Sequence, residues 1–205
     1  MITQDQLDSM LRLQDKLNCV VNPDWRSAGY PWHRAIMVEG VELLEHVGWK
    51  WWKKQEPDLP QARIELVDIW HFALSIMLLD NEPVEATYRR MIKAANFKAA
   101  NQDLRSKIDG LVEIAACGRF DTGVFMGLMD DLGMTWDDLY RTYVAKNVLN
   151  VFRQDNGYKA GTYVKTWGGV EDNVVLHELT VLNPEASAEE LLLQLGNIYN
   201  KVKAL

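Results

Sequence analysis

No apolar run in this 205-residue chain approaches the ~20 residues that a membrane-spanning helix needs, so the sequence predicts none. Cysteine is nearly absent. Cys19 and Cys117 stand alone, with no metal-ligand spacing and too few thiols for a disulfide framework, which fits a reducing compartment. The opening stretch MITQDQLDSMLRLQDKL is polar and helix-periodic rather than an apolar targeting segment, so the cytoplasm is the expected location. Basic charge is in the minority, 22 Lys and Arg against 29 Asp and Glu for a net charge of −7, which argues against a broad nucleic-acid surface. A phosphorylated small molecule stays open if local cations or bound metal offset that field. Strand-like alternation is also scarce: Val174–Leu176 and Leu179–Leu182 are too short to carry a sheet. Internal repeats and low-complexity tracts are missing, and 48% hydrophobic with 25% charged residues describes a folded globular chain.

What is present is helical period. Residues 3–21 space Leu7, Leu11, Leu17 and Val21 for one helix, with Pro23 as a stop. Pro31 opens a second, from about 33 to 52. QEPDLPQ (55–61) reads as a turn-rich link, and a third helix over about 60–80 is apolar on nearly every face, so it should be the most buried. Pro83 begins another helix, and 84–133 reads as two or three helices broken near Gly118–Arg119 and Gly133. Thr135 with Asp138 three residues on predicts a capped start for a helix reaching about Gln154 and ended by Asn156–Gly157. Residues 155–177, rich in Gly, Lys, Tyr and Asn, read as an ordered functional loop, and 184–203 as a last amphipathic helix. The expectation is one all-α domain over 1–205. Its core motifs lie in 13–75 and 143–173, with a helical lobe over 80–135 and a C-terminal helix over 184–203.

Two acidic pairs stand out. Glu39 and Glu42 are three apart on one helix, hence on one face, and Glu65 and Asp68 repeat the spacing on the next. The short link makes those helices antiparallel neighbours. A single E-x-x-E is ordinarily a solvated face, and Glu39, Glu42 and Glu45 with partners such as Lys50 and Lys53 would fit that description. The second pair sits among Ile64, Leu66, Val67, Ile69 and Trp70, where four carboxylates would repel one another and each cost several kcal/mol to desolvate, about as much as a buried ion. A compensating cation is implied, and oxygen ligands with few His or Cys point to Mg²⁺ or Mn²⁺. A di-iron bundle needs two Glu-x-x-His motifs. Asp68-x-x-His71 is the sole approach to one.

Other residues suggest an anionic, ring-bearing ligand. Lys146, Asn150 and Arg153 share a helical face at i, i+4 and i+7, and the glycine-containing loop adds Tyr158, Lys159, Tyr163 and Lys165. Arg and Lys with neutral Tyr and Asn donors form a phosphate-binding set, whereas dipole capping of a helix end explains Arg153 alone. Trp49-Lys50-Trp51-Trp52-Lys53-Lys54 holds more indoles than a core can absorb, so an exposed Trp beside lysines suits stacking on a base. Gln14 and Asn18, i and i+4, are either satisfied surface amides or readers of a base edge. His71 beside Phe72 is either a satisfied core histidine or a ligand contact.

As a set, LQDKLN (13–18), EGVELLEHVGWKWWKK (39–54), IELVDIWHFALS (64–75) and YVAKNVLNVFRQDNGYKAGTYVK (143–165), with EDN (171–173), resemble the dimeric dUTP pyrophosphatases. These belong to the all-α nucleotide pyrophosphohydrolase superfamily, which also holds MazG-like and dCTP-cleaving members. Residues 80–135 and the last helix carry none of its motifs. The resemblance implies a dimeric helical bundle that hydrolyses dUTP, and dUDP, to dUMP and pyrophosphate or phosphate, with no nucleic-acid or membrane partner. It implies two or three Mg²⁺ on Glu39, Glu42, Glu65 and Asp68, with Glu42, or Glu39, as the base. Lys53, Lys146, Asn150, Arg153, Tyr158, Lys159 and Lys165 would grip the polyphosphate, and Gln14, Asn18, Trp52, His71 and Phe72 would shape the base and sugar pocket. A dCTP or broader dNTP pyrophosphatase, a non-catalytic nucleotide sensor and a purely structural helical dimer are the competing readings.

Overall fold

The computed structural model describes residues 2–95, 102–184 and 186–203. Helix α1 (Gln4–Val21) starts at a capping box in which the Thr3 hydroxyl accepts from the Gln6 N–H at 3.1 Å and the Gln6 side chain accepts from the Thr3 N–H at 3.0 Å. Helix α2 (Trp32–Val47) is shorter than the sequence suggests, ending at Gly48 rather than near residue 52. Gly48 has φ +79°, and the Gln55 side-chain oxygen accepts from the Trp49 and Lys50 N–H groups at 2.9 and 2.6 Å. Those donors are therefore satisfied outside a helix, and the aromatic–basic segment becomes a turn.

Helix α3 (Leu59–Leu79) is capped by Asp58 and carries Pro60 in its first turn. It is buried along most of its surface, as its composition predicts. Its half-exposed positions include Ile64, Asp68, Phe72 and Ile76, a stripe with a period of four that leaves one edge of the helix open. Helices α4 (Val84–Ala95), α5 (Leu104–Ala116) and α6 (Thr122–Asp131) follow, with breaks at Gly118 and Gly133, both at positive φ. Residues 96–101 of the expected 80–135 lobe lie outside the described residues. Helix α7 (Trp136–Asp155) opens on the predicted Thr135–Asp138 capping box.

Beyond α7 the structure corrects the sequence reading. The stretch expected as loop to residue 177 closes in a two-residue hairpin, β1 (Thr166–Trp167) paired antiparallel with β2 (Val170–Glu171). Helix α8 (Asp172–Leu182) follows directly, taking in both short segments with strand-like composition. Helix α9 (Ala188–Lys203) begins at Ser187, whose hydroxyl accepts from the Glu190 N–H at 3.2 Å.

Packing divides the chain into two cores joined through α7. The larger gathers α1 to α6 and the first half of α7 around Trp70, which stacks on Phe125 with centroids 5.0 Å apart. The smaller is built from Leu149 and Phe152 of α7, Trp167, α8 and the inner face of α9. There Tyr199 stacks on Tyr163 at 5.1 Å, and its hydroxyl accepts from the Val164 N–H at 3.0 Å. The last helix thus braces the glycine-containing loop. No helix among the described residues is long and apolar enough to cross a membrane.

Helix α2 packs on both α3 and α5. Gly40 lies at the second contact, where an added Cβ would stand 2.8 Å from Val112 Cγ2. A Gly40→Val variant is expected to lose about 1–3 kcal/mol through overpacking. At roughly 2–4 °C per kcal/mol for a chain of this size, the midpoint of a thermal melt should fall by several degrees.

Candidate functional site

The α2–α3 interface brings carboxylates together. Ligand oxygens of Glu39, Glu42 and Glu65 all lie within 4.8 Å of one another, with Glu42 exposed, Glu39 half-buried and Glu65 buried. Burial, followed by the charges of Asp68, Glu65 and Glu42, pushes the Glu39 carboxyl up to about 8. Burial and Asp68 likewise raise Glu65, whose carboxylate also lies 3.3 Å from His46 Nε2. Asp68 is oriented differently from the other three: it pairs with Lys146 at 2.9 Å. The three carboxylates close enough to share one ion are therefore those of Glu39, Glu42 and Glu65, with Asp68 beside them as the bridge to α7. Glu45 behaves as an ordinary surface acid, ion-paired with Lys50 and accepting from Trp49 Nε1 at 2.7 Å.

A buried polar row leads away from the carboxylates. The Gln14 side-chain oxygen lies 2.8 Å from His71 Nδ1 and 3.1 Å from the Tyr143 hydroxyl, and its nitrogen donates to Asn18 Oδ1 at 2.9 Å. Asn18 Nδ2 in turn donates to Ser75 Oγ at 3.0 Å. In this arrangement the Gln14 oxygen faces His71 and Tyr143, and the Asn18 nitrogen faces Ser75. Gln14 accepts at His71, so the imidazole carries its proton on Nδ1, and burial together with Lys146 pushes its pKa down to about 3. The neutral ring leaves Nε2 as a buried acceptor without a partner, and the Trp32 indole N–H is a buried donor without one.

Glu39 and Asp68 share one cavity of about 350 Å³ with Gln14, Asn18, His71 and Phe72. Asn150, Arg153 and Tyr158 complete its far wall, and Trp32 and Tyr30 close its rim. Glu42 and Glu65 adjoin through the carboxylate cluster, and Lys146 adjoins through Asp68. Both unpaired atoms, on Trp32 and His71, belong to side chains that line this cavity. Unsatisfied buried polar atoms each cost about 1–3 kcal/mol, a cost that a polar ligand would remove.

The cations are less available than their spacing suggests. Arg153 directs Nε and Nη2 at Asp172 at 2.8 and 2.7 Å, so its bidentate fork is occupied inside the protein. Burial works against that guanidinium, but Asp172 holds it protonated. Lys146 also donates to Asn173 at 2.9 Å, Lys159 donates to the Val21 carbonyl at 2.7 Å, and Lys165 pairs with Glu171 at 3.1 Å. Lys53 lines a separate, open recess of about 360 Å³ with Trp49 and Arg105. Trp52 is exposed and packs edge-on against Trp49 and Trp51. Neither Lys53, Trp52, Lys159 nor Lys165 lines the cavity.

Sequence reasoning missed Trp32, Ser75, Tyr143, His46 and Asp172. The first four sit one or two helical turns from residues already singled out, such as Ser75 beyond His71 and His46 beyond Glu42, but only tertiary packing shows that they reach the site. Asp172 had one: an acid just before an apolar run, part of the EDN triplet.

A family model described as dUTPase matches residues 6–158, well over half of the chain. The chain belongs to the dUTPase family. No curated protein matches it. For a dUTPase-family domain, the Glu39–Glu42–Glu65 cluster is consistent with nucleoside-triphosphate pyrophosphohydrolase chemistry and can chelate a divalent ion. The matched span holds the whole carboxylate set and the cavity. The hairpin, α8 and α9 lie beyond it.

The raised Glu39 carboxyl has a signed consequence. The folded state holds its proton up to about pH 8, whereas an ordinary Glu gives it up near 4.5. Between those values the folded state binds more protons than the unfolded state, so stability falls as pH rises. With EDTA present, the thermal midpoint is expected to drop from pH 5 to pH 8, and Glu39→Gln should flatten that slope. A slope identical in both proteins would show that Glu39 does not carry the repulsion.

Proposed function

We propose that this protein hydrolyses dUTP, and dUDP, to dUMP with release of pyrophosphate or phosphate, thereby keeping uracil out of DNA. The observation that carries the reading is a single cavity in which a carboxylate cluster, a row of oriented amides and a basic wall meet. Glu39, Glu42 and Glu65, with Asp68 alongside, would hold two or three Mg²⁺. Their all-oxygen donor set suits a hard cation, and a divalent charge would offset the burial and the neighbouring carboxylates that together keep Glu39 protonated. When bound, the cations would neutralise the polyphosphate and acidify water.

The remaining steps belong to the chain. Glu42 is the exposed member of the cluster and lies closest to solvent, so it is the proposed base, with Glu39 as the alternative. Asn150, Arg153 and Tyr158 present neutral donors and one cationic group to the phosphates, and Phe72 and Trp32 offer apolar faces to the sugar and base. Lys146, which adjoins the cavity through Asp68, and Lys53, Lys159, Lys165 and Trp52, which lie outside it, complete the proposed set. The oriented amides favour uracil over cytosine. His71 Nε2 is an acceptor, and the N–H groups that Gln14 and Asn18 leave over are donors. An acceptor set among donors complements a ring N–H flanked by two carbonyls, and cytosine offers no N–H at that ring position. That pattern supports dUTP over dCTP within the same superfamily.

We also propose a homodimer. Val38 and Val41 on α2 are 54% and 51% exposed beside the carboxylate cluster, an apolar face with no cover in the single chain. Light scattering that returns a monomer mass would remove this part of the proposal.

The deciding experiment is pyrophosphate release from dUTP, dUDP, dCTP and dTTP with and without Mg²⁺. Turnover is expected for dUTP with Mg²⁺ and should be lost in EDTA. Equal rates with dCTP would replace the narrow substrate claim with a broader one. Glu42→Gln should lower kcat by about 10²–10⁴-fold, as loss of a general base does. Unchanged turnover at unchanged metal content would exclude Glu42 as the base.

A further inference from the structure

Asp172 has no solvent exposure and lies outside the span matched by the dUTPase family model. An isolated carboxylate so placed would be expelled from the fold or protonated. Instead, burial, which acts to raise its pKa, is outweighed by Arg153 and the Tyr163 hydroxyl, and it stays ionised below the usual carboxylate range. Helix α7 and the loop that follows it converge on it. Arg153 of α7 makes its two-pronged contact, the Tyr163 hydroxyl of the loop donates to Oδ2 at 2.7 Å, and the Asp172 N–H donates to the Lys165 carbonyl at 3.0 Å. Its place in the first turn of α8 adds the favourable end of that helix dipole.

The consequence reaches the cavity. With Nε and one Nη2 hydrogen on Asp172, Arg153 donates Nη2 to Asn173 at 3.1 Å and Nη1 to Asn150 at 3.2 Å. One Nη1 hydrogen is left over, on a guanidinium whose plane is fixed. Its face also lies 5.7 Å from the Tyr158 ring. Asn150, Arg153 and Tyr158 together form the basic wall, and one buried acid fixes the guanidinium that the other two touch. Asn173 extends the arrangement by accepting from Lys146, which pairs with Asp68.

We propose that Asp172 is a positioning residue for the polyphosphate end of the site, acting through Arg153 and Tyr163 without touching the ligand. This rests on the reading of the cavity as a nucleotide polyphosphate site. It predicts a selective defect. Removing the charge of Asp172 frees Arg153 to rotate and unpins the loop at Tyr163, while the row Gln14–Asn18–His71 keeps its own hydrogen bonds.

The test uses the full chain with Mg²⁺ and reads binding calorimetrically for two probes, inorganic triphosphate and deoxyuridine, alongside dUTP kinetics. Asp172→Asn is expected to weaken triphosphate at least tenfold and raise KM for dUTP similarly, with deoxyuridine affinity unchanged within twofold. Tyr163→Phe, which removes one donor and leaves the ion pair, should give the same selectivity at two- to fivefold, and it serves if Asp172→Asn does not fold. In an Arg153→Met background, Asp172→Asn should add no more than the two- to fivefold that Tyr163→Phe costs, because only the Tyr163 arm is left for it to act through. Equal losses for both probes, or full additivity with Arg153→Met, would overturn the proposal and make Asp172 merely structural. Wild-type turnover of dUTP with no triphosphate defect in either variant would sink this inference alone. A selective triphosphate defect in a protein that does not turn over dUTP would sink the substrate reading and leave Asp172 in its role.

Discussion

Mutual repulsion among the carboxylates of α2 and α3 is the constraint around which the rest of this structure is arranged. Glu39, Glu42 and Glu65 are held within one another's reach by helices that would each be more stable with apolar residues there. The structure answers the repulsion in three ways. Glu39 keeps a proton, His46 stands against Glu65, and Lys146 crosses from α7 to Asp68. The first is the response that a divalent ion would displace. Such an arrangement has no purpose in a bundle that only needs to fold, because neutral residues would pack α2 on α3 at lower cost. Strained electrostatics of this kind belong to sites that bind or react.

The same logic governs the opposite wall. A basic cluster in a chain of net charge −7 would attract any passing acid, and the fold supplies its own partners. Arg153, on that wall, is held by Asp172, while Lys165 and Lys159, which lie off the cavity, are held by Glu171 and by a backbone carbonyl. The amide row works by orientation instead of charge. Gln14 accepts from two neighbours, and Asn18 passes a hydrogen bond on to Ser75, so neither amide is free to flip. Each wall of the cavity is thus preorganised by residues behind it, and those supporting residues come from α1, α3, α7 and α8 alike.

Much of this was legible in the sequence, and the failures have physical causes. The acidic pairs, the buried character of α3 and the Thr135 cap follow from helical period and capping chemistry, which act over a few residues. The end of α2 was misplaced because Trp49 and Leu44 look equally at home in a helix. The stop depends on Gly48 at positive φ and on Gln55 reaching back to two N–H groups, a contact that helix propensity does not encode. Helix α8 was missed because VVLHELTVL alternates enough to resemble strand, while its burial against α7 and α9 is a tertiary fact. Arg153, Lys146 and Tyr158 were singled out from spacing, but spacing could not reveal that Asp172 and Asp68 occupy the first two. Trp52 and Lys53 stand apart from the cavity because the chain turns at Gly48.

Helix α7 is a single uninterrupted element whose first half lies in the larger core and whose second half lies in the smaller one. Tyr143 from the first half touches Gln14, Lys146 at the seam touches Asp68, and Arg153 from the second half touches Asp172. The residues that brace the amide row, the carboxylates and the basic wall are therefore mounted along one rigid rod, at separations fixed by helical rise. A ligand spanning the cavity is in effect measured against that rod. On the proposed nucleotide reading, length as well as chemistry would become a criterion of fit, and a diphosphate tail would reach less of the rod than a triphosphate.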